Sequence, residues 1–206
     1  QCAISDAWLS WGWDDDGNPK IKPVGNLKMV GRHLDWDPAG HALMVEAIVP
    51  RYSYRMFSVP VAAQWLGYFE DQCRFVAALP QCLREELLVR LHHQDYGWCT
   101  MQRWQDRFPQ IRLDDGSAPI SPLIEKSRLY ISTYNATTFL ESLAMNIPTL
   151  MFWNPHHWEL RDSAIPYFER LKSVGIFHEA PEPAAAKMAE VWDDVAGWWH
   201  QPEIQA

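Results

Sequence analysis

Hydrophobic positions fall into two regimes along the chain. Residues 1 to 41 hold turn signals, Asp14 to Pro19 and Val24-Gly25-Asn26, and almost no period, which predicts an irregular leading segment with room for one short strand. From residue 42 onward short apolar runs alternate with helical spacing. Ala42 to Val49 is an apolar run ended by Pro50, as expected of a buried parallel strand. Between Val59 and Ala78 the residues Val61, Trp65, Leu66, Phe69, Cys73, Val76 and Ala77 recur at threes and fours until Pro80, which predicts an amphipathic helix. The pattern then repeats. Strands are predicted at Leu87 to Leu91, Ile111 to Leu113, Arg128 to Ser132 and Pro148 to Phe152. Helical segments are predicted at Met101 to Phe108, Pro122 to Lys126, Thr137 to Met145, Tyr167 to Val174 and Ala184 to Trp198. Gly175 sits where a C-terminal cap belongs, and Pro181 and Pro183 precede the last helix.

Strands alternating with helices imply an α/β fold: a Rossmann-like, mostly parallel sheet with helices on both faces. The expected organisation is residues 1–41 as a segment packing on a domain of residues 42–206. Such sheets bind ligands beyond the C-terminal ends of their strands. Candidate chemistry is therefore sought just after Val49, Leu91, Leu113, Ser132 and Phe152.

Composition narrows the classes. A net charge of −8 gives no positive field to attract nucleic acid. No stretch reaches the apolar length of a membrane span, and no basic region followed by an apolar run opens the chain. Cysteines at 2, 73, 82 and 99 have neither paired CxxC spacing nor disulfide-scaffold density, so free thiols in a reducing cytoplasm are expected. The Trp-rich opening, without a start-of-domain signal, suggests a piece of a longer protein with a partner domain. Of the 12 tryptophans, Trp8, Trp11, Trp13, Trp36, Trp65, Trp104, Trp192, Trp198 and Trp199 are scattered at mixed spacing, which fits packing better than a carbohydrate platform. Those in residues 8 to 13 are candidates for the face where a partner domain docks.

The most informative run is Leu129 to Leu150, where a strand passes into a helix through Ser132, Thr133, Asn135, Thr137 and Thr138. Free N–H groups and the positive dipole end at Thr137 and Thr138 form a ready anion site. Glu141 lies one turn on, where a carboxylate can accept both hydroxyls of a ribose. The competing reading is plain capping by the hydroxyl residues, with Glu141 a solvated helix residue.

Ser132-Thr133-Tyr134-Asn135, Thr137-Thr138, Glu141, Ile147-Pro148-Thr149 and Phe152-Trp153-Asn154-Pro155 together resemble the C-terminal, donor-binding half of B-type glycosyltransferases. More narrowly, the chain resembles a bacterial group of transferases found with surface-polysaccharide genes. That group has counterparts of Trp11-Gly12-Trp13, Lys20 to Pro23, Pro50-Arg51-Tyr52, Asp95 to Trp98, Asp114-Asp115-Gly116 and Trp158 to Asp162. The resemblance implies that Glu141 holds the donor ribose and that Thr137 and Thr138 hold its phosphates. It also implies an N-terminal acceptor domain, with a nucleotide-sugar donor and a glycan acceptor as partners. Families with glycine-rich loops at this point differ from this chain, which has Asn135 and two threonines.

Other strand ends add candidates. Arg51 and Arg55, after the first strand, can clamp a diphosphate or a sugar carboxylate, or else pair with a surface acid. Arg90, His92, His93 and Asp95 crowd the end of the second strand. His92 is a candidate donor to phosphate or an acid or base. A histidine is placed similarly in some transferases using cytidine monophosphate sugars, though there a proline follows and here His93 does. Metal binding by His92, His93 and Asp95 is disfavoured, because adjacent strand residues point to opposite faces. Asp114-Asp115-Gly116 resembles the motif in which bacterial sialyltransferases place a base, which makes Asp115 a candidate; an Asp-Gly turn is also common for backbone reasons. Asn154, His157 and Trp158 head the loop after the fifth strand, with Trp153 and Trp158 as an aromatic floor, unless the loop is a helix start and the tryptophans are packing.

The expected function is glycosyl transfer from a nucleotide-sugar to a surface-polysaccharide acceptor, without metal or cofactor, in a chain that is inactive by itself. Two alternatives stand beside it: a nucleotide-sugar epimerase of the same fold, and a non-catalytic assembly module.

Overall fold

The computed structural model describes residues 2–14, 17–52 and 59–205. The chain forms two compact units, residues 1–33 and 34–206. In the first, β1 (Trp8–Ser10) and β2 (Ile21–Pro23) pair in parallel, in register Trp8 with Ile21. Lys20 donates from Nζ to the Ser5 carbonyl, closing the connection between them. Trp11 and Trp13 are exposed.

The second unit is built in chain order from β3 (His41–Val45), α1 (Gln64–Ala78), α2 (Gln81–Glu85), β4 (Leu87–Arg90), α3 (Thr100–Arg107), β5 (Arg112–Asp114), α4 (Ser121–Glu125), β6 (Ser127–Ser132), α5 (Thr137–Ala144), β7 (Thr149–Phe152), α6 (Ile165–Ser173), β8 (Phe177–His178), α7 (Pro181–Val191), α8 (Val195–Trp199) and α9 (Pro202–Gln205). Its sheet runs in the order β5-β4-β3-β6-β7-β8, and each neighbouring pair is parallel. Counted from β3 as the first strand, that order is 3-2-1-4-5-6, the doubly wound arrangement. The direction of winding reverses between β3 and β6. The α/β expectation holds.

Alternation along the strands explains the two layers. Ala42 and Met44 face one side of the sheet with Leu87, Val89, Leu129 and Ile131, beneath α1 and α7. Leu43, Val45 and Tyr130 face the other with Ile124 of α4. Ala42, Leu43 and Met44 are completely enclosed, and each large apolar side chain so buried contributes about 1.5–3 kcal/mol. Phe75 stacks on Phe152 across the first layer, at 4.8 Å between centroids.

Local chemistry sets the helix limits. α1 starts at Gln64 rather than Val59 because Pro60 lies in the approach and Ala62 takes a left-handed backbone, φ 46°. Gln64 then reaches back to accept the Val61 N–H at 3.0 Å. The single helix expected over 184–198 is divided: α7 ends at Val191, a 3-10 turn covers Trp192–Asp194, and Asp194 caps α8 by accepting the Gly197 N–H. A second aspartate before a small residue is the signal for that restart. Gly175, at φ 75°, ends α6 as its position predicts.

Candidate functional site

At the reversal point the ends of β3 and β6 are joined by a directional chain of hydrogen bonds. The Thr133 hydroxyl donates to the Val45 carbonyl at 2.8 Å, which leaves its oxygen to accept from the Tyr68 hydroxyl at 2.6 Å. Tyr68 in turn accepts the Ala47 N–H at 2.7 Å. Both strand ends are thereby fastened to α1, and the enclosed Tyr68 hydroxyl is held well above its usual pKa by burial. Reversal of winding separates the chains that leave these strands, and a crevice opens between them.

That crevice is a cleft of about 450 Å³. Ala47 to Pro50 line it after β3, Trp65 and Tyr68 from α1, His92 and Tyr96 after β4, Tyr134 to Ala136 after β6, and Trp158 after β7. Its walls are aromatic. Trp158 meets Tyr68 edge-on at 5.6 Å, and Trp65 stacks on Trp98 at 4.5 Å. The indole N–H of Trp65, a residue only 1% exposed, has no acceptor among the described residues.

Ala136, which precedes the first turn of α5, belongs to this lining, while Thr137 and Thr138 do not. The N-cap of α5 is this Ala136, in an extended conformation, and among the described residues no side chain caps the helix. The hydroxyls that could have capped it are engaged elsewhere: Ser132 with the Tyr134 carbonyl, Thr133 with Val45, and Thr138 with the Tyr134 hydroxyl. Among the described residues, then, no side chain spends the leading amides of α5 or compensates the positive end of its dipole. Thr137 is exposed beside them, and Asn135 is half-buried in the cleft wall. Glu141 is half-buried one turn on, and is not a lining residue. Tyr134 links the two places, since it lines the cleft while its hydroxyl lies in the field of Glu141 and Arg90.

After β4, His92 stacks on His93 at 4.4 Å. His92 Nδ1 lies 3.1 Å from the Gln94 nitrogen and 3.3 Å from the Gln94 carbonyl, so it accepts from the first or donates to the second according to its tautomer. Burial lowers the His92 pKa, and His93 and Arg90 push it the same way against the Gln94 carbonyl. At neutral pH the cleft thus receives an uncharged imidazole.

Arg90 is turned to the edge of the sheet. It is 9% exposed, and binds Asp114 at 2.6 Å and the carbonyls of Gly116 and Ala118. Asp115 is exposed outside the cleft lining, with its carboxylate held below the usual range by the Ser117 hydroxyl and N–H. The reason for the glycine in this motif is packing. Gly116 has φ 76°, and a Cβ there meets the Leu91 carbonyl and stands 2.7 Å from the His93 nitrogen. The turn after β5 is therefore the support on which the His92 loop lies.

The remaining candidates scatter around the rim. Arg51 is exposed, donates to the Gly97 carbonyl at 3.3 Å and lies over Trp98. Arg55 lies outside the described residues. Asn154 caps the short turn Pro155–His157 by accepting the His156 N–H. His157 packs against α1 near Asp71, with Nδ1 enclosed and unpartnered among the described residues; burial lowers its pKa. Trp158 lines the cleft as expected of that loop, whereas Trp153 is committed to the core against Phe139, Phe168 and Phe177. Among the described residues no cluster of three metal-binding side chains occurs, and no helix is long and apolar enough to cross a membrane.

Sequence reasoning passed over Glu46, Tyr68 and Trp65. Glu46 is the carboxylate inside the first apolar run, a position that now proves enclosed, at 5% exposure, with Trp104 Nε1 donating to it at 2.9 Å. A charged residue amid an apolar run was the available signal.

A family model described as "LIC12162 family transferase" matches residues 1–206. None of the curated proteins matches the chain.

Proposed function

The chain belongs to the LIC12162 family of transferases, and on that footing we propose that its cleft binds the nucleotide part of a sugar donor for glycosyl transfer to a surface-polysaccharide acceptor. One observation carries the proposal. The uncapped N-terminus of α5 opens into an aromatic cleft at the reversal point of a 3-2-1-4-5-6 sheet. Free amides at a helix start suit a phosphate, and flat aromatic walls suit a base or sugar ring.

Roles follow from position. Thr137 and the leading amides of α5, that of Thr138 among them, take the donor phosphate, with Asn135 beside them. His92 donates from Nε2 to the departing phosphate oxygen, where the charge grows as the glycosidic bond breaks. The Trp65 N–H is a further donor for a group seated against the wall. Glu141 takes the ribose hydroxyls past Tyr134, and Arg51 meets charge at the rim. The acceptor and the base that activates it are assigned to an N-terminal acceptor domain, on the resemblance to B-type glycosyltransferases.

Calorimetric titration with cytidine and uridine mono- and diphosphates tests this. We expect one nucleotide to bind, and the Thr137→Ala/Thr138→Ala double variant and Glu141→Ala each to weaken it roughly tenfold, in line with loss of one to two hydrogen bonds to a charged or polar ligand. Absence of binding at millimolar nucleotide would sink the proposal in favour of a non-catalytic assembly module. Sugar-nucleotide conversion without any acceptor would favour an epimerase.

A further inference from the structure

We propose that Glu46 is a positioning residue of the cleft, which acts as an uncharged acid fixing the end of β3 to α3. The geometry comes first. Glu46 is the residue directly after β3, and its own N–H is bonded to the Arg90 carbonyl of β4, so its backbone is locked in the sheet. The cleft floor, Ala47 to Pro50, hangs from it. Its side chain passes into the layer between α1 and α3, where Trp104, fully enclosed, donates its indole N–H to Oε1. Trp104 sits in the middle of α3, whose start follows immediately on the loop carrying His92 and Tyr96. One bond thus connects the floor of the cleft to the element that ends its β4 wall, as the Tyr68 and Thr133 bonds connect the floor to α1 and to the β6 wall.

The enclosure is built for the neutral form. Among the described residues, Glu46 is faced by Tyr68 and Cys73 from α1 and Trp104 from α3. None is a cation. Arg90 on β4 is turned to Asp114, and Arg107 at the end of α3 is paired with Glu70. Burial alone raises the Glu46 pKa to about 8, with the single Trp104 bond opposing. Burial also pushes the Cys73 thiol up to about 12, so no thiolate competes for the site in the working range. An uncharged carboxyl supplies the acceptor that Trp104 needs without placing a charge under the cleft.

The consequence for stability has a definite sign. A carboxyl with a folded pKa raised above its unfolded value stabilises fully below the unfolded value, near 4.5, and that contribution is lost as pH rises toward about 8, beyond which it is flat. The consequence for ligands, which rests on the donor-cleft reading above, is that ionised Glu46 loosens the floor and weakens nucleotide binding at alkaline pH.

The test compares wild type with Glu46→Gln, which keeps an acceptor for Trp104 and cannot ionise, and with Glu46→Leu, which fills similar space and offers no acceptor. Thermal unfolding midpoints without nucleotide are measured from about pH 5 to about pH 9. We expect the wild-type midpoint to fall relative to that of Glu46→Gln across this range; parallel curves would overturn the proposal. Infrared difference spectra of the two proteins at neutral pH should show a protonated-carboxyl band that Gln removes, and an ionised-carboxylate band in its place would overturn it equally. Binding of cytidine and uridine 5′-monophosphates is then measured at mildly acidic and alkaline pH. We expect Glu46→Leu to bind roughly fivefold more weakly, as for one lost hydrogen bond, and Glu46→Gln to rescue it and to remove the alkaline decline. Binding by Glu46→Leu equal to wild type would refute the positioning role. If neither nucleotide binds any of the proteins, the donor reading fails while the unfolding and infrared measurements still decide the state of Glu46.

Discussion

The turns that follow β5 and β6 are written in much the same alphabet and do opposite things. Asp114-Asp115-Gly116-Ser117 closes on itself: the Asp114 carboxylate takes the Gly116 N–H and the Arg90 guanidinium, and Asp115 takes both donors of Ser117. Ser132 to Thr138 closes only on its strand side. Its hydroxyls turn back to Val45 and Tyr134, the N-cap falls on an alanine, and the helix start is left open. Polar residues at a strand end therefore mark a site only when their donors remain unspent. The first turn is a support, and the second is a place for a ligand.

The largest effect expected from this contrast is at Arg90. Replacement by Ala strips the Asp114 carboxylate and two carbonyls of their donor in a partly enclosed setting, where the side chains are 11% and 22% exposed. Loss of one partner from an enclosed pair costs about 3 kcal/mol. Chemical denaturation should show that loss. A stability change under about 0.5 kcal/mol, typical of surface positions, would mean that the turn after β5 supports nothing.

Gly116→Ala comes next. A left-handed backbone costs an L-residue about 1–2 kcal/mol, and the new Cβ also presses on residues 91 and 93. We expect about 2 kcal/mol of destabilisation, with changed chemical shifts for the His92 ring. Destabilisation with an unmoved His92 resonance would separate the turn from the loop it is argued to carry.

The difference between the two turns also explains what the sequence discloses. Strands β3, β4, β6 and β7 are legible because each holds a short apolar run between turn signals, and their alternation with α1, α3 and α5 is enough for a parallel sheet. Strand β8 is not, since Phe177–His178 is two residues long and exists only by pairing with Met151 and Phe152. The hydroxyl-rich exit from β6 is visible as a candidate, but whether its hydroxyls cap the helix or turn back depends on Val45 and Tyr68, 88 and 65 residues from Thr133. Arg90 looks like a ligand group from its neighbours in sequence, and its actual partner, Asp114, lies one strand away. Glu46 is hidden for the same reason: its surroundings are made by Trp104, 58 residues on. Local pattern writes the elements, while the ownership of polar groups is decided by contacts across the sheet.

The smallest effect in stability is the sharpest test of the comparison, because its sign is opposite to the others. Ala136 occupies the N-cap of α5 with φ −145° and ψ −169°, an extended backbone compatible with a capping side chain. Serine there can accept from an amide of the first turn, which is worth about 1 kcal/mol at a typical helix start. Ala136→Ser should therefore raise the unfolding midpoint, and aspartate should raise it further by adding a charge favourable to the dipole. The same substitutions spend the donors that the cleft offers. Serine should weaken nucleotide binding modestly, and aspartate should abolish it by placing a carboxylate where the phosphate goes. Stabilisation without any loss of binding would show that the open helix start is an accident of sequence; stabilisation together with loss would show that the open start of α5 serves to bind an anion.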